Sequence, residues 1–166
     1  YSLTIGNEYL ILDKSNKEIF NLSFANVLRN TTDDDLPTKS TLGDKRSNIF
    51  GHLKYIPSDN FDIEYQFSLD NNLKHSNSDI IKSNIKINNF ITSFEYLEED
   101  NVIGNKSYIT NTTKYDIDKN KSMSFEISKN LDKNITDYYN LIYEYKNDCM
   151  TAALEYNKTF YDADDL

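Results

Sequence analysis

Hydrophobic and polar residues alternate along most of this chain, most clearly in the segment 61–70. Its odd-numbered positions hold Phe, Ile, Tyr, Phe and Leu, and its even-numbered positions hold Asp, Glu, Gln, Ser and Asp. Because successive side chains of a β-strand point to opposite sides, this period of two predicts a strand with one apolar and one polar face. The carboxylates of the polar face need water or polar partners.

The same alternation recurs along the chain and predicts about ten strands and no substantial helix. Each segment approaches the roughly 9–11 residues with which a tilted strand crosses a bilayer. The further segments are 2–12, 18–29, 49–55, 81–87, 90–96, 107–117, 123–128, 139–145 and 150–157.

The connections between these segments are predicted to alternate between short and long, with Asn, Asp, Ser and Lys forming turns in a chain of 4 Gly and 2 Pro. Outer-membrane β-barrels alternate in this way because their periplasmic turns are tight and their outer loops are long. The short connections are 13–17, 57–60, 88–89, 118–121 and 147–148. The longer ones are 30–47, 71–78, 99–106 and 130–135.

A soluble β-sandwich also has one apolar and one polar face, so the alternation alone leaves that architecture open. Uniform strand length, alternating loop length and tyrosines near strand ends favour the barrel, where such rings form an interfacial girdle. We therefore expect an all-β antiparallel meander that forms a fragment of a large transmembrane outer-membrane β-barrel. The girdle candidates are Tyr55, Tyr96, Tyr115, Tyr145 and Tyr156.

In a barrel the two faces of each strand have different surroundings, and the alternation assigns residues to each. The residues predicted to line the lumen are His52, Lys54, Asp62, Glu64, Gln66, Lys82, Lys86, Glu95, Glu126, Glu144 and Glu155. The residues predicted to face lipid are Phe61, Ile63, Tyr65, Phe67, Leu69, Phe125, Leu141, Tyr143 and Leu154.

Composition argues against several classes of function. The formal net charge is −9 and the 18 Lys and Arg are scattered, whereas a nucleic-acid-binding protein presents a basic face. No apolar run reaches the roughly 18 residues of a transmembrane helix. An apolar content of 38% suits a barrel, because only every second strand residue faces lipid.

The sequence offers no set of residues that predicts catalysis, a cofactor or a metal. It lacks a Gly-x-Ser-x-Gly elbow, an acid–base triad and a glycine-rich phosphate loop. His52 and His75 are the only histidines and are too few for a metal site. The pair Asp62 and Glu64 could serve acid–base chemistry or bind Ca²⁺, and the loop segment 33–35 could bind divalent cations weakly. Solvated carboxylates are the simpler interpretation of both. We expect a protein that is not an enzyme.

Cys149 is the only cysteine and follows a predicted short turn, at what would be the periplasmic rim of a barrel. In an oxidising compartment a lone thiol suggests a disulfide partner outside this chain. A free cysteine at a strand start remains equally open from the sequence.

Three segments resemble the C-terminal barrel of the LptD family of LPS-assembly outer-membrane proteins, also called organic solvent tolerance proteins. The first is 22–57, with LSFANVLRN followed by DLPTKSTLGDKRSNIFGHLKYIP. The second is FDIEYQFSLDNNL at 61–73, and the third is YKNDCMTAALEYNKTFYDADDL at 145–166. The third is the most specific and is closest to alphaproteobacterial members. Its matching residues are Asp148, Cys149, Glu155, Tyr156, Lys158, Asp162 and Asp164.

The resemblance implies LPS insertion into the outer leaflet of the cell outer membrane. It implies an LptE-type lipoprotein plug inside the barrel, and a periplasmic jellyroll that receives LPS from a bridge of jellyroll proteins. Residues 1–166 would be part of the C-terminal barrel domain, without the jellyroll, the early strands and the last strand. Cys149 would then be the candidate for a disulfide to the periplasmic domain.

The chain departs from the family pattern at two positions. Met150 follows the cysteine where some members carry a second one, which puts the number of bridges in doubt. Thr41 stands where glycine is common in the long loop. The alternatives are a general porin or receptor barrel for small solutes, and a soluble extracellular β-sandwich that binds a partner or glycan.

Overall fold

The computed structural model describes residues 1–36, 41–101 and 104–160, and the expectations for Asp162 and Asp164 lie outside these ranges. The described residues form ten strands and no helix, so none of them belongs to a helix long and apolar enough to cross a membrane. The strands are β1 (Ser2–Leu12), β2 (Glu18–Arg29), β3 (Ile49–Ser58), β4 (Phe61–Leu69), β5 (Ser76–Ile87), β6 (Phe90–Asn101), β7 (Gly104–Asp116), β8 (Lys121–Asn130), β9 (Ile135–Lys146) and β10 (Thr151–Thr159).

Each strand pairs antiparallel with its neighbours in sequence, from β1 to β10, in one ten-stranded sheet. The expectation of an all-β antiparallel meander is therefore confirmed. The sheet is open, because β1 pairs only with β2 and β10 only with β9. The described residues do not form a second sheet packed on the first, so they do not make a β-sandwich on their own.

The register of strand pairing places the polar positions of each strand beside the polar positions of the next. Lys54 lies opposite Glu64, which lies opposite Lys82, and Lys82 lies opposite Glu95. Residues directly opposite in adjacent strands share a face, so the polar positions of neighbouring strands join into one surface. We call this side the polar face and the opposite side the apolar face.

The sheet has no hydrophobic core, since none of the described hydrophobic residues is buried. Large apolar side chains remain in contact with solvent along the apolar face, including Phe24 at 48%, Phe94 at 42% and Leu154 at 74% relative exposure. A sheet normally buries one apolar face against another layer. This sheet therefore needs lipid or another protein surface to cover that face.

The prediction of a long loop at 99–106 is wrong. β6 and β7 continue towards each other until Asn101 pairs with Gly104. At an exposed strand end the charged residues 98–100 need no burial, and Glu99 lies opposite Lys106. The longer strand also leaves Tyr96 in the middle of β6, not near its end.

The expected alternation of loop length is consequently confined to part of the sheet. At one end lie the connections 30–48, 70–75, 102–103 and 131–134. At the other end lie 13–17, 59–60, 88–89, 117–120 and 147–150. We call the first the long-loop end and the second the short-turn end, although only 30–48 is markedly long.

Asparagine forms several of the turns, as the shortage of glycine predicted. Asn16, Asn88 and Asn134 adopt positive φ angles of 62°, 51° and 54°. Asparagine tolerates this left-handed conformation better than most residues because its short amide can bond locally.

The part of the long connection that follows the undescribed segment 37–40 is attached to β2. The Ser47 amide donates to the Val27 carbonyl at 2.9 Å, and the Arg29 amide donates to the Lys45 carbonyl at 2.9 Å. A Cβ on Gly43 would lie 2.3 Å from the Asp33 carbonyl oxygen, so glycine permits this close approach. Residues 41–48 are thus held in place against the sheet.

Candidate functional site

The register places every residue that was predicted to line a lumen on the polar face. They occupy corresponding positions in six of the central strands and in β10: His52, Lys54, Asp62, Glu64, Gln66, Lys82, Lys86, Glu95, Glu126, Glu144 and Glu155. Their common surface is thereby established, while its exposure to a lumen remains a prediction.

Side-chain contacts run across the strands of the polar face. The Glu64 carboxylate accepts from Gln66 Nε2 at 2.6 Å and lies 3.1 Å from His52 Nε2. In the next strands Lys82 Nζ lies 2.9 Å from Glu95 Oε2. These exposed pairs each contribute little to stability, but together they fix the side chains in one layer.

Amide and hydroxyl donors bind several other carboxylates of this face. Asn84 Nδ2 donates to Asp62 at 2.8 Å, and Asn140 Nδ2 donates to Glu155 at 2.9 Å. The Tyr138 hydroxyl donates to Glu126. The result is a polar surface on which hydrogen bonds and ion pairs link neighbouring strands.

A concavity of about 820 Å³ lies on the polar face across β2 to β6. His52, Glu64 and Gln66 give it a polar side, while Phe50 and Ile80 give it an apolar side. Our sequence analysis missed both apolar residues. Their even numbers within β3 and β5 were the available signal, because they share that parity with His52 and Lys82.

The residues predicted to face lipid all lie on the apolar face. This surface includes Phe61, Ile63, Tyr65, Phe67, Leu69, Phe125, Leu141, Tyr143 and Leu154. Their shared face is established by the register, and their contact with lipid remains a prediction.

Aromatic residues of the apolar face gather at its short-turn end. Phe20 lies opposite Tyr55, and Phe90 lies opposite Tyr115. Tyr145, next to the last residue of β9, extends the row. Rings with a polar tip at this level suit the boundary between hydrocarbon and water.

Several polar clusters interrupt the apolar face, among them the hydrogen-bonded pair Tyr65 and Asp79 and a ring of three short polar residues. Asn111 Nδ2 donates to Thr92 Oγ1 at 2.9 Å, and Thr113 Oγ1 donates to Asn111 Oδ1 at 3.1 Å. Thr92 and Thr113 hydroxyls are 2.9 Å apart, so the Thr92 hydroxyl must donate to Thr113 and close a ring of hydrogen bonds. We call these residues the polar triangle. Three short polar residues at apolar positions were the signal that our sequence analysis missed.

Aspartates at the first position of several turns hold the backbone. Asp70 Oδ1 accepts from the amides of Lys74 at 2.9 Å and Asn72 at 3.1 Å. These bonds stabilise the carboxylate and, with the Lys74 amide as the main cause, lower the pKa of Asp70. The Asn120 amide likewise lowers the pKa of Asp118 at the opposite end of the sheet.

Cys149 lies exposed in the 147–150 turn, as a free thiol. Its amide donates to Asn147 Oδ1 at 3.0 Å, and that oxygen also accepts from Met150 at 2.8 Å. A disulfide would need a second cysteine outside this sequence, so the predicted bridge remains a prediction.

The other residues considered for metal binding do not come together. His75 ends the 70–75 loop, and Asp33 is 3.4 Å from Arg29. Within 1–36, 41–101 and 104–160, no group of three or more His, Cys, Asp or Glu side chains could hold a metal ion.

No protein-family model matches this chain, and no curated protein shows significant similarity to it.

Proposed function

We propose that this sheet is part of the wall of a transmembrane outer-membrane β-barrel, with its apolar face on lipid and its polar face on an aqueous lumen. The observation that supports this most is the extended, largely hydrophobic apolar face, with no buried hydrophobic core among the described residues. Burying a large aliphatic or aromatic side chain is worth about 1.5–3 kcal/mol, so leaving this face in water would be costly.

The dimensions of the strands also support a membrane wall. They contain between 9 and 13 residues, close to the roughly 9–11 needed for a tilted crossing. Neighbouring strands satisfy each other's backbone groups, which hydrocarbon cannot do. The outer edges of β1 and β10 would pair with further strands of the same barrel.

Within this class we propose a role in LPS assembly, based on the family resemblance of the three segments. The polar face would offer the sugars of LPS a hydrated path, while the acyl chains would pass on the lipid side. An LptE-type plug would occupy the lumen. Cys149, at the short-turn end, would connect the barrel to a periplasmic domain. The barrel itself would catalyse no reaction.

The orientation of the two faces can be tested with neighbouring residues of β9. In the full-length parent protein carrying Cys149→Ser, we would compare Leu141→Cys with Asn140→Cys in intact outer membranes. We expect a water-soluble maleimide to label position 140 and to spare position 141. A membrane-soluble maleimide should label position 141. Equal labelling of both by the water-soluble reagent would contradict the lipid-facing assignment.

The LPS-assembly role needs a separate experiment in a Gram-negative host. Depletion of the parent protein should lower LPS at the cell surface, and expression of the wild type should restore it. A porin or receptor would leave surface LPS unchanged and alter solute uptake instead. An unchanged LPS level after depletion would therefore contradict this role without contradicting the barrel.

The proposed bridge can be tested by gel mobility with and without reductant. We expect the oxidised wild type to migrate differently from the reduced protein, and Cys149→Ser to abolish that difference. Identical mobility in all lanes, with a folded barrel, would mean that Cys149 is a free thiol.

A further inference from the structure

A groove of about 660 Å³ lies on the apolar face at the long-loop end. Its floor is mostly apolar and its rim is basic. The lining consists of Ile5, Phe24, Asn26, Leu28, Arg29, Lys45, Arg46, Ile49 and Asn71. We call it the basic groove.

The floor of the basic groove is accessible. The relative solvent exposure is 54% for Ile5 and 48% for Phe24, and both side chains project from the apolar face. A hydrocarbon chain lying here would cover surface that the described residues leave open.

The backbone bonds of the 41–48 segment hold the rim in position. Arg46 forms a β-bridge with Leu28, and its carbonyl accepts from Asn71 Nδ2 at 3.4 Å. The Lys45 carbonyl accepts from the Arg29 amide at 2.9 Å. Two cationic side chains thus extend from a fixed backbone beside an apolar floor.

The charges of this rim are not neutralised locally. Arg29 donates to the Leu42 carbonyl at 2.6 Å and pairs with Asp33, whereas neither Lys45 nor Arg46 has a carboxylate within ion-pair distance in the described part of the chain. Both are exposed. In a chain of net charge −9, this is a place where an anion would be attracted.

We propose that the basic groove binds a membrane amphiphile with an anionic phosphate headgroup. Lys45 and Arg46 would hold the phosphate, and one acyl chain would lie over Ile5 and Phe24. Charge complementarity at the rim and the apolar floor together select this chemistry over a free anion. The inference rests on the proposed barrel, because an amphiphile reaches the groove only if the apolar face lies in a membrane.

The test uses the full-length parent protein reconstituted in phosphatidylcholine nanodiscs. Binding of dimyristoyl phosphatidylglycerol would be measured for the wild type and for Lys45→Gln/Arg46→Gln. Lys74→Gln/Lys129→Gln is the matched control, since it removes two positive charges at the same end of the sheet but outside the groove. Glycerol phosphate is the probe without acyl chains.

We expect the groove variant to bind the lipid on the order of 25-fold more weakly, because each of the two lost basic residues contributes an attraction of about fivefold near a membrane surface. The control should match the wild type, and glycerol phosphate should not compete. Equal lipid affinity in all three proteins would overturn the site, and so would effective competition by glycerol phosphate.

Insertion into neutral nanodiscs separates this inference from the proposed function. A protein that inserts and folds, but binds the anionic lipid without help from Lys45 and Arg46, would refute the groove and leave the barrel intact. A parent protein that fails to insert at all would refute both.

Discussion

The two faces of the sheet share one backbone and differ in almost every side-chain interaction. On the polar face, carboxylates such as Glu64 and Glu126 have partners in the same strand or in a neighbouring one. On the apolar face, polar groups such as the polar triangle lie among exposed hydrophobic residues. The difference shows that neither face acts as a core. In the proposed barrel, water would cover the polar face and hydrocarbon would cover the apolar face.

The most severe test of this difference uses two adjacent positions of β8. Phe125→Lys should lower the free energy of unfolding from lipid by about 2–4 kcal/mol, because it places a charge on the hydrocarbon side. Ser124→Lys, on the polar face, should change it by less than about 0.5 kcal/mol. Urea unfolding of the parent protein in liposomes measures both. Similar losses for the two variants would contradict the assignment of the faces.

Disrupting the polar triangle should lower the free energy of unfolding by a smaller amount. Thr113→Val leaves Asn111 and Thr92 each without one partner, which should cost about 1–3 kcal/mol in the same assay. Replacing all three together, as Thr92→Val, Asn111→Leu and Thr113→Val, removes the unpaired groups and should restore stability to near the wild-type value. A triple variant that is less stable than Thr113→Val would show that the triangle has another role.

The Lys82–Glu95 ion pair should contribute less to the free energy of unfolding than the polar triangle does. Both side chains remain nearly half exposed, at 45% and 47%, so solvent screens their attraction. A double-mutant cycle with Lys82→Ala and Glu95→Ala should give a coupling below about 1 kcal/mol that fades with salt. A coupling of several kcal/mol would indicate a dry environment and contradict an aqueous lumen.

The smallest expected effect is a pH response at the turns, outside both faces. The lowered pKa of Asp70 means that its carboxylate supports the loop fully above its ordinary titration range. This support is lost as the pH falls through the lowered pKa. The protection of the Asn72 and Lys74 amides against hydrogen exchange, measured relative to the intrinsic rate at each pH, should therefore fall in acid. Asp70→Asn should remove that response, whereas Asp118→Asn, at the other end of the sheet, should preserve it.

The period of two was sufficient to predict the strands and both faces, because parity alone decides on which side a strand residue lies. It could not determine where β6 and β7 end, since pairing of Glu99 with Lys106 depends on a partner strand. The attachment of 41–48 to β2 and the mixed lining around Phe50 and Ile80 depend on contacts between distant segments. The proposed LPS-assembly role rests on the resemblance of three segments to a family. Neither the alternation nor the strand pairing could have predicted that role.

The open edges of the sheet have a consequence for handling the protein. The outer side of β1 presents a row of backbone donors and acceptors that no described strand satisfies, and β10 presents another. Such rows recruit any extended chain. An isolated sheet of this kind should therefore polymerise edge to edge, with a lag phase and seeding by preformed fibrils, whereas a closed barrel would have no growing end.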